Sequence, residues 1–180
     1  SDTENAYIGQ ERKRGKLEVL NRFLLSKLES SHENILYAGN FEDLRNIRYI
    51  ITLDRDTELP KNRALKLIET IAHPLNEAVL DINTKKVLRG YTLIQPRVTT
   101  SLPSSNKTYF SKIFSGAIGS DPYTEAVSDI YHDMLHEGSY LGKGIYDLSM
   151  FDRVLDKRFP SNHILSHDLI EGAYVRTGYA

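Results

Sequence analysis

The feature that most limits the fold is an alternation of two hydrophobic periods along one short chain. The run "YIITL" at residues 49–53 is apolar and of strand length. After Pro60, "KNRALKLIETIAHPL" sets Leu65, Ile68 and Ile71 at helical spacing and stops at His73-Pro74. Residues 78–98, "AVLDINTKKVLRGYTLIQPRV", predict two strands around a turn at Asn83-Thr84. Helical spacing returns at residues 11–28 (Leu17, Leu20, Leu24, Leu28), after Asp121-Pro122, in "SMFDRVLDKRF" and in "SHDLIEGAYVRTG", where Ser166 is the expected N-cap. Strands interleaved with helices predict an α/β layer architecture, a central sheet flanked by helices.

The 180 residues fit one domain with a sizeable core, and 40% hydrophobic against 26% charged residues argues for a globular chain. A net charge of −1 gives no electrostatic reason to expect nucleic acid. The absence of cysteine excludes disulfides, thiolate ligands and thiol nucleophiles. No run of about 18 apolar residues is present, so no membrane span is expected within the sequence. The polar start, "SDTENAYIGQERKRGK", and an ending inside a helix and its exit suggest a piece of a longer protein.

Asp54 and Asp56 follow the apolar run directly. On an extended segment, side chains two apart share a face, so both carboxylates can converge. Two hard oxygen donors at a sheet's carboxyl edge suit Mg²⁺ or Mn²⁺ carrying a diphosphate. A solvated turn is the competing reading. An aspartyl-phosphate phosphatase would need a threonine where Glu58 stands. In "YHDMLHE", His132 and His136 stand four apart, the spacing of zinc ligands on a helix, but Asp133 replaces the expected glutamate and no third ligand follows. The glycines of "EGSYLGKG" allow close backbone approach to a ligand. Asp168, at a helix start, suits either a general base or a charge favoured by the helix dipole. The basic run "ERKRGK" is a solvated face or a phosphate contact.

Taken in order, "YIGQERKRGKLEVLN", "YIITLDRDT", "AHPLN", "LIQPRV", "DPYTEAVSDIY", "GKGIYD" and "RFP-N-ILSHDLIEG" resemble the processive inverting glycosyltransferases of the cellulose- and chitin-synthase type, most closely the glycosyltransferase domain of cyclic β-1,2-glucan synthases. The resemblance runs from about residue 7 to residue 178. It implies an incomplete GT-A-type fold with a mixed sheet, residues 1–180 being the central portion of one domain truncated at both ends.

The resemblance also implies roles. Asp54 and Asp56 match the Asp-x-Asp motif that binds the divalent metal and the nucleotide-sugar diphosphate. Asp168 matches the catalytic base. Lys16, five residues before Asn21, falls at the lysine of a Lys-Ala-Gly-x-Leu-Asn motif that contacts donor phosphates. Gln95, Arg97, Gly142, Lys143 and Gly144 fall where acceptor and donor sugars meet the pocket. The implied donor is UDP-glucose and the acceptor a β-1,2-glucan, at the cytoplasmic face of a bacterial inner membrane, within a larger membrane-bound polypeptide. No strand for a uridine pocket precedes these motifs and no tryptophan occurs, so the 180 residues alone are expected to be inactive. A glycan-binding scaffold and a zinc hydrolase built on His132 and His136 are the rival readings.

Overall fold

The computed structural model describes residues 12–25, 44, 46–98, 108–114, 134–135, 138–160, 163–164 and 167–180. In chain order these form α1 (Arg12–Leu24), β1 (Tyr49–Thr52), α2 (Arg63–Ala72), β2 (Val79–Asp81), β3 (Lys86–Arg89), β4 (Leu93–Gln95), α3 (Tyr109–Phe114), β5 (Gly144–Asp147), α4 (Leu148–Leu155), α5 (Asp168–Val175) and β6 (Thr177–Tyr179). The expected α/β layering is present, with a mixed sheet flanked by helices. The helix expected after Asp121-Pro122 lies almost wholly outside the described residues, as does Ser166.

The main sheet has the order β1-β5-β4-β6. β5 is antiparallel to both β1 and β4, and β6 is parallel to β4, so β1, β4 and β6 share one direction. Their carboxyl ends therefore meet at one edge, beside the start of β5. The expected hairpin is the separate pair β2-β3. Asp81 holds its turn, accepting from Asn83 N at 2.9 Å and Thr84 Oγ1 at 2.7 Å. The "LIQ" segment leaves the hairpin and enters the main sheet as β4.

Period-two alternation divides the core. Ile94 and Ile145, paired across β4 and β5, pack with Leu67 and Ile71 of α2 on one face. Leu93 and Tyr146, the neighbouring pair, pack with Phe151 and Val154 of α4 and Val175 of α5 on the other. Each of these side chains contributes on the order of 2 kcal/mol by leaving water. Asp147 caps α4 by accepting from Met150 N at 3.0 Å. Leu24 and Leu25 at the end of α1 pack against the second cluster.

Candidate active site

The sheet topology brings distant segments together. Thr52, the last residue of β1, pairs with Gly144, the first of β5. Asp54 leaves β1 just beyond that pair, and Gly142 and Lys143 enter β5 just before it. The two loops are neighbours because an antiparallel strand begins where its partner ends.

Asp54 carries two ammonium groups. Lys13 Nζ donates to Oδ1 at 2.6 Å and Lys143 Nζ stands 2.7 Å from Oδ2. Lys13 Nζ also donates to the carbonyl of Gly142 at 2.8 Å. Partial burial works against the Asp54 charge, but the hydrogen bonds and charges of Lys13 and Lys143 outweigh it and hold the carboxyl below its ordinary range. Gly142 has φ +77°, and a Cβ there would collide with Asp168 Oδ2 and approach Lys13 Nζ to 3.1 Å. Lys13, Asp54, Gly142, Lys143 and Asp168 thus form one cluster. Burial pushes the Asp168 carboxyl above its ordinary range; Lys13 opposes that and Asp54 adds to it.

The other residues singled out in the sequence fall differently. β1 ends at Thr52, and Thr57 N donates to Asp54 O at 3.0 Å, closing a turn where an extended segment was expected. Asp56 stands exposed in that turn. Lys16 is exposed on α1, and Lys13, three residues earlier, is the lysine that reaches Asp54. Gln95 is 2% exposed and spends its amide on backbone, donating to Pro96 O at 2.9 Å and accepting from Leu141 N at 3.0 Å. It braces the loop that carries Gly142. Gly144 lies in β5, pressed on the Ile94 carbonyl across the sheet. Arg97 is exposed, its backbone N–H bonded to Ala180 O at 3.2 Å. His132 and His136 lie outside the described residues. The expected N-cap of α5 shifts to His167, which makes no side-chain cap bond to the helix.

Two further groups border the cluster. Glu171, three residues after Asp168, is 7% exposed and pairs with Arg14 Nε at 3.0 Å. Tyr140 Oη shares a hydrogen bond with Thr52 Oγ1 at 3.1 Å, beneath the Asp54 loop. A cleft opens between α1 and the α4–α5 layer, with Asn21, Tyr146, Asp168 and Glu171 among its walls. Chemically, the cluster offers cations for a phosphate and a carboxylate able to take a proton. Both oxygens of Asp54 already face ammonium groups, so they point to positions suited to a cation, and a hard carboxylate fits Mg²⁺ or Mn²⁺. Among the described residues, no three His, Asp or Glu side chains gather closely enough to cage a metal unaided.

No protein-family profile matches the chain. Against curated proteins, it is 41% identical over 177 residues to the cyclic β-(1,2)-glucan synthase NdvB of Rhizobium meliloti (strain 1021). The resemblance to cyclic β-1,2-glucan synthases is borne out. The match covers 98% of this chain and 6% of the synthase, so the chain corresponds to a small part of that protein's length. Among the described residues, no helix is long and apolar enough to cross a membrane.

Proposed function

We propose that this chain is the central portion of a GT-A-type glucosyltransferase domain within a larger cyclic β-1,2-glucan synthase. It takes UDP-glucose as donor and a growing β-1,2-glucan as acceptor, at the cytoplasmic face of the membrane, and inverts the anomeric centre. The carrying observation is the convergence of Lys13, Asp54, Lys143 and Asp168 around Gly142, where the parallel strands end. The likeness to the Rhizobium synthase supports the reaction class. The mixed sheet, with its charged residues gathered at the carboxyl edge, supports the GT-A reading.

In this reading Asp168 accepts the proton of the acceptor hydroxyl while that oxygen bonds to the glucose anomeric carbon. The bond from that carbon to the diphosphate oxygen breaks, and UDP leaves with the electron pair. Lys13 and Lys143 stabilise the charge that builds on the leaving phosphate. Asp54, with Asp56 after a rearrangement of its turn, would hold Mg²⁺ or Mn²⁺, which would supply further charge neutralisation on the diphosphate. Gly142, Gly144, Gln95 and Arg97 shape and brace the sugar pocket. Burial suits Asp168 to its task, because a raised carboxyl is a stronger base.

The test is turnover of UDP-glucose by the intact protein. Asp168→Asn is expected to lower kcat by at least about 10²-fold while donor binding is kept. Asp54→Asn is expected to abolish metal-dependent donor binding. Unchanged turnover in Asp168→Asn rules the reading out.

A further inference from the structure

We propose that Arg14 and Glu171 are a positioning pair for the transfer reaction, setting how α1 presents Lys13 to Asp54 and to the pocket beside Asp168. The proposal rests on the glucosyltransferase reading for the identity of the reaction.

The start of α1 is weak by itself. Its first turn holds Arg12, Lys13 and Arg14 and no acidic residue. Cations at the positive end of a helix dipole disfavour that turn. Among the described residues, compensating negative charge comes from other elements. Lys13 reaches Asp54 after β1, and Arg14 reaches Glu171 on α5.

Successive helical residues point about 100° apart. One tie fixes where the helix start sits, and the second fixes its rotation. The Arg14 guanidinium is held on two sides, by Glu171 at 3.0 Å and over the Phe159 ring at 5.3 Å. Its side chain is 14% exposed and that of Glu171 9%, against 39% for Lys13. Arg14 is therefore the enclosed anchor, and Lys13 the reaching arm.

The carrier of the anchor matters equally. Glu171 is three residues beyond Asp168, on the same side of α5. The helix that presents the proposed base thus also holds the helix that presents the phosphate-binding lysine. Between those ties and the Asn21–Tyr146 bond (2.8 Å), α1 borders a cleft. When a diphosphate draws Lys13 away from Asp54, the Arg14–Glu171 pair is the tie that keeps Lys13 within reach. Buried ion pairs add little net stability, which suits a pair whose use is geometric.

The test reads lysine placement and kinetics separately. In amine acetylation followed by mass spectrometry, Lys13 is expected to become several-fold more reactive in Glu171→Gln and in Arg14→Lys, with exposed Lys16 as the internal reference. In the intact protein, both variants are expected to raise the UDP-glucose KM by roughly tenfold, the scale of one charged hydrogen bond. Adding Glu171→Gln to Lys13→Ala should then cost little more, because the pair acts through Lys13. Unchanged Lys13 reactivity in both variants overturns the placement. Full, additive losses in the double variant overturn the role in the reaction, since they would mark a fold defect independent of Lys13. A protein that never uses UDP-glucose refutes the glucosyltransferase reading instead, and the acetylation result still decides whether the pair places Lys13.

Discussion

Lys13 donates to Asp54 at 2.6 Å across 41 positions of sequence, and the same ammonium donates to the carbonyl of Gly142. One cation thereby joins a helix and both loops at the edge of the sheet. With Lys143 on the second oxygen, the Asp54 carboxylate is charge-compensated on both sides. In the proposed reading, a dication would compete with two ammonium groups for Asp54 and would leave both lysines available to phosphate.

That arrangement makes the two lysines of α1 unequal. Lys13→Ala is expected to weaken donor binding by roughly tenfold or more, as for other hydrogen bonds to charged groups. Lys16→Ala, exposed and away from Asp54, is expected to change it less than about twofold, in line with surface substitutions. Calorimetry with UDP-glucose and Mn²⁺ on the intact protein checks both. Equal losses from the two variants would contradict the geometry.

Gly142 is irreplaceable for two reasons that act together. Its φ of +77° costs a residue with a side chain about 1 kcal/mol, and a Cβ would press on Asp168 Oδ2. Gly142→Ala is expected to lower stability by about 1–3 kcal/mol and also to displace the proposed base. A thermal melt and a turnover assay on the same preparation separate the effects. Activity should fall further than the fraction unfolded explains; normal turnover per folded molecule would show that Asp168 does not need the space.

Much of this fold follows from local pattern. The period of "YIIT", the helical spacing of "RALKLIETIA" and the turn around Asn83 all describe short stretches whose neighbours in sequence are also their neighbours in space. The destination of "LIQ" was not legible, because a three-residue strand carries no sign of which sheet it joins. The position of Asp54 at the end of β1 was legible and the turn that keeps it from converging with Asp56 was not, since the turn closed by Thr57 N depends on where β1 stops pairing. The lysine that pairs with Asp54 is Lys13, one helical turn before the Lys16 that the motif picks out. Counting back from Asn21 selects Lys16, whereas Lys13 with Gly15 and Leu17 fits Lys-x-Gly-x-Leu equally well, and only the structure separates the registers. Glu171 was not singled out in the sequence, because the partner that marks it lies 157 residues away.

Gln95 shows a polar side chain used for shape. Both ends of its amide hold backbone, at Pro96 and at Leu141 next to Gly142. Gln95→Leu keeps the volume but strands a buried N–H and a carbonyl, at an expected cost of about 1–3 kcal/mol. Denaturant unfolding gives that cost, and amide exchange at Leu141 should accelerate. Unchanged exchange at Leu141 would mean that the loop holds its form without Gln95.

Glu171 makes stability depend on pH in an uncommon direction. Burial raises its carboxyl from 4.5 to about 7, against the pull of Arg14. The folded state thus binds the Glu171 proton more tightly than the unfolded state does, and the ion pair with Arg14 forms fully only above about 7, below which the contact is a hydrogen bond from Arg14 to a neutral carboxyl. Between pH 4.5 and about 7 the native protein carries the excess proton, so stability falls as pH rises. This contribution is fully present below 4.5 and is lost as pH rises through about 7. Asp54, whose carboxyl is lowered, has the opposite sign, with its contribution lost as pH falls below 3.8. Glu171→Gln removes one titration and leaves the rest. Urea unfolding of wild type and Glu171→Gln at intervals from pH 4 to pH 8 is therefore expected to give curves that diverge across this window, the variant losing less stability with rising pH. Parallel curves would show that Glu171 titrates at its ordinary value, with Arg14 fully offsetting its burial.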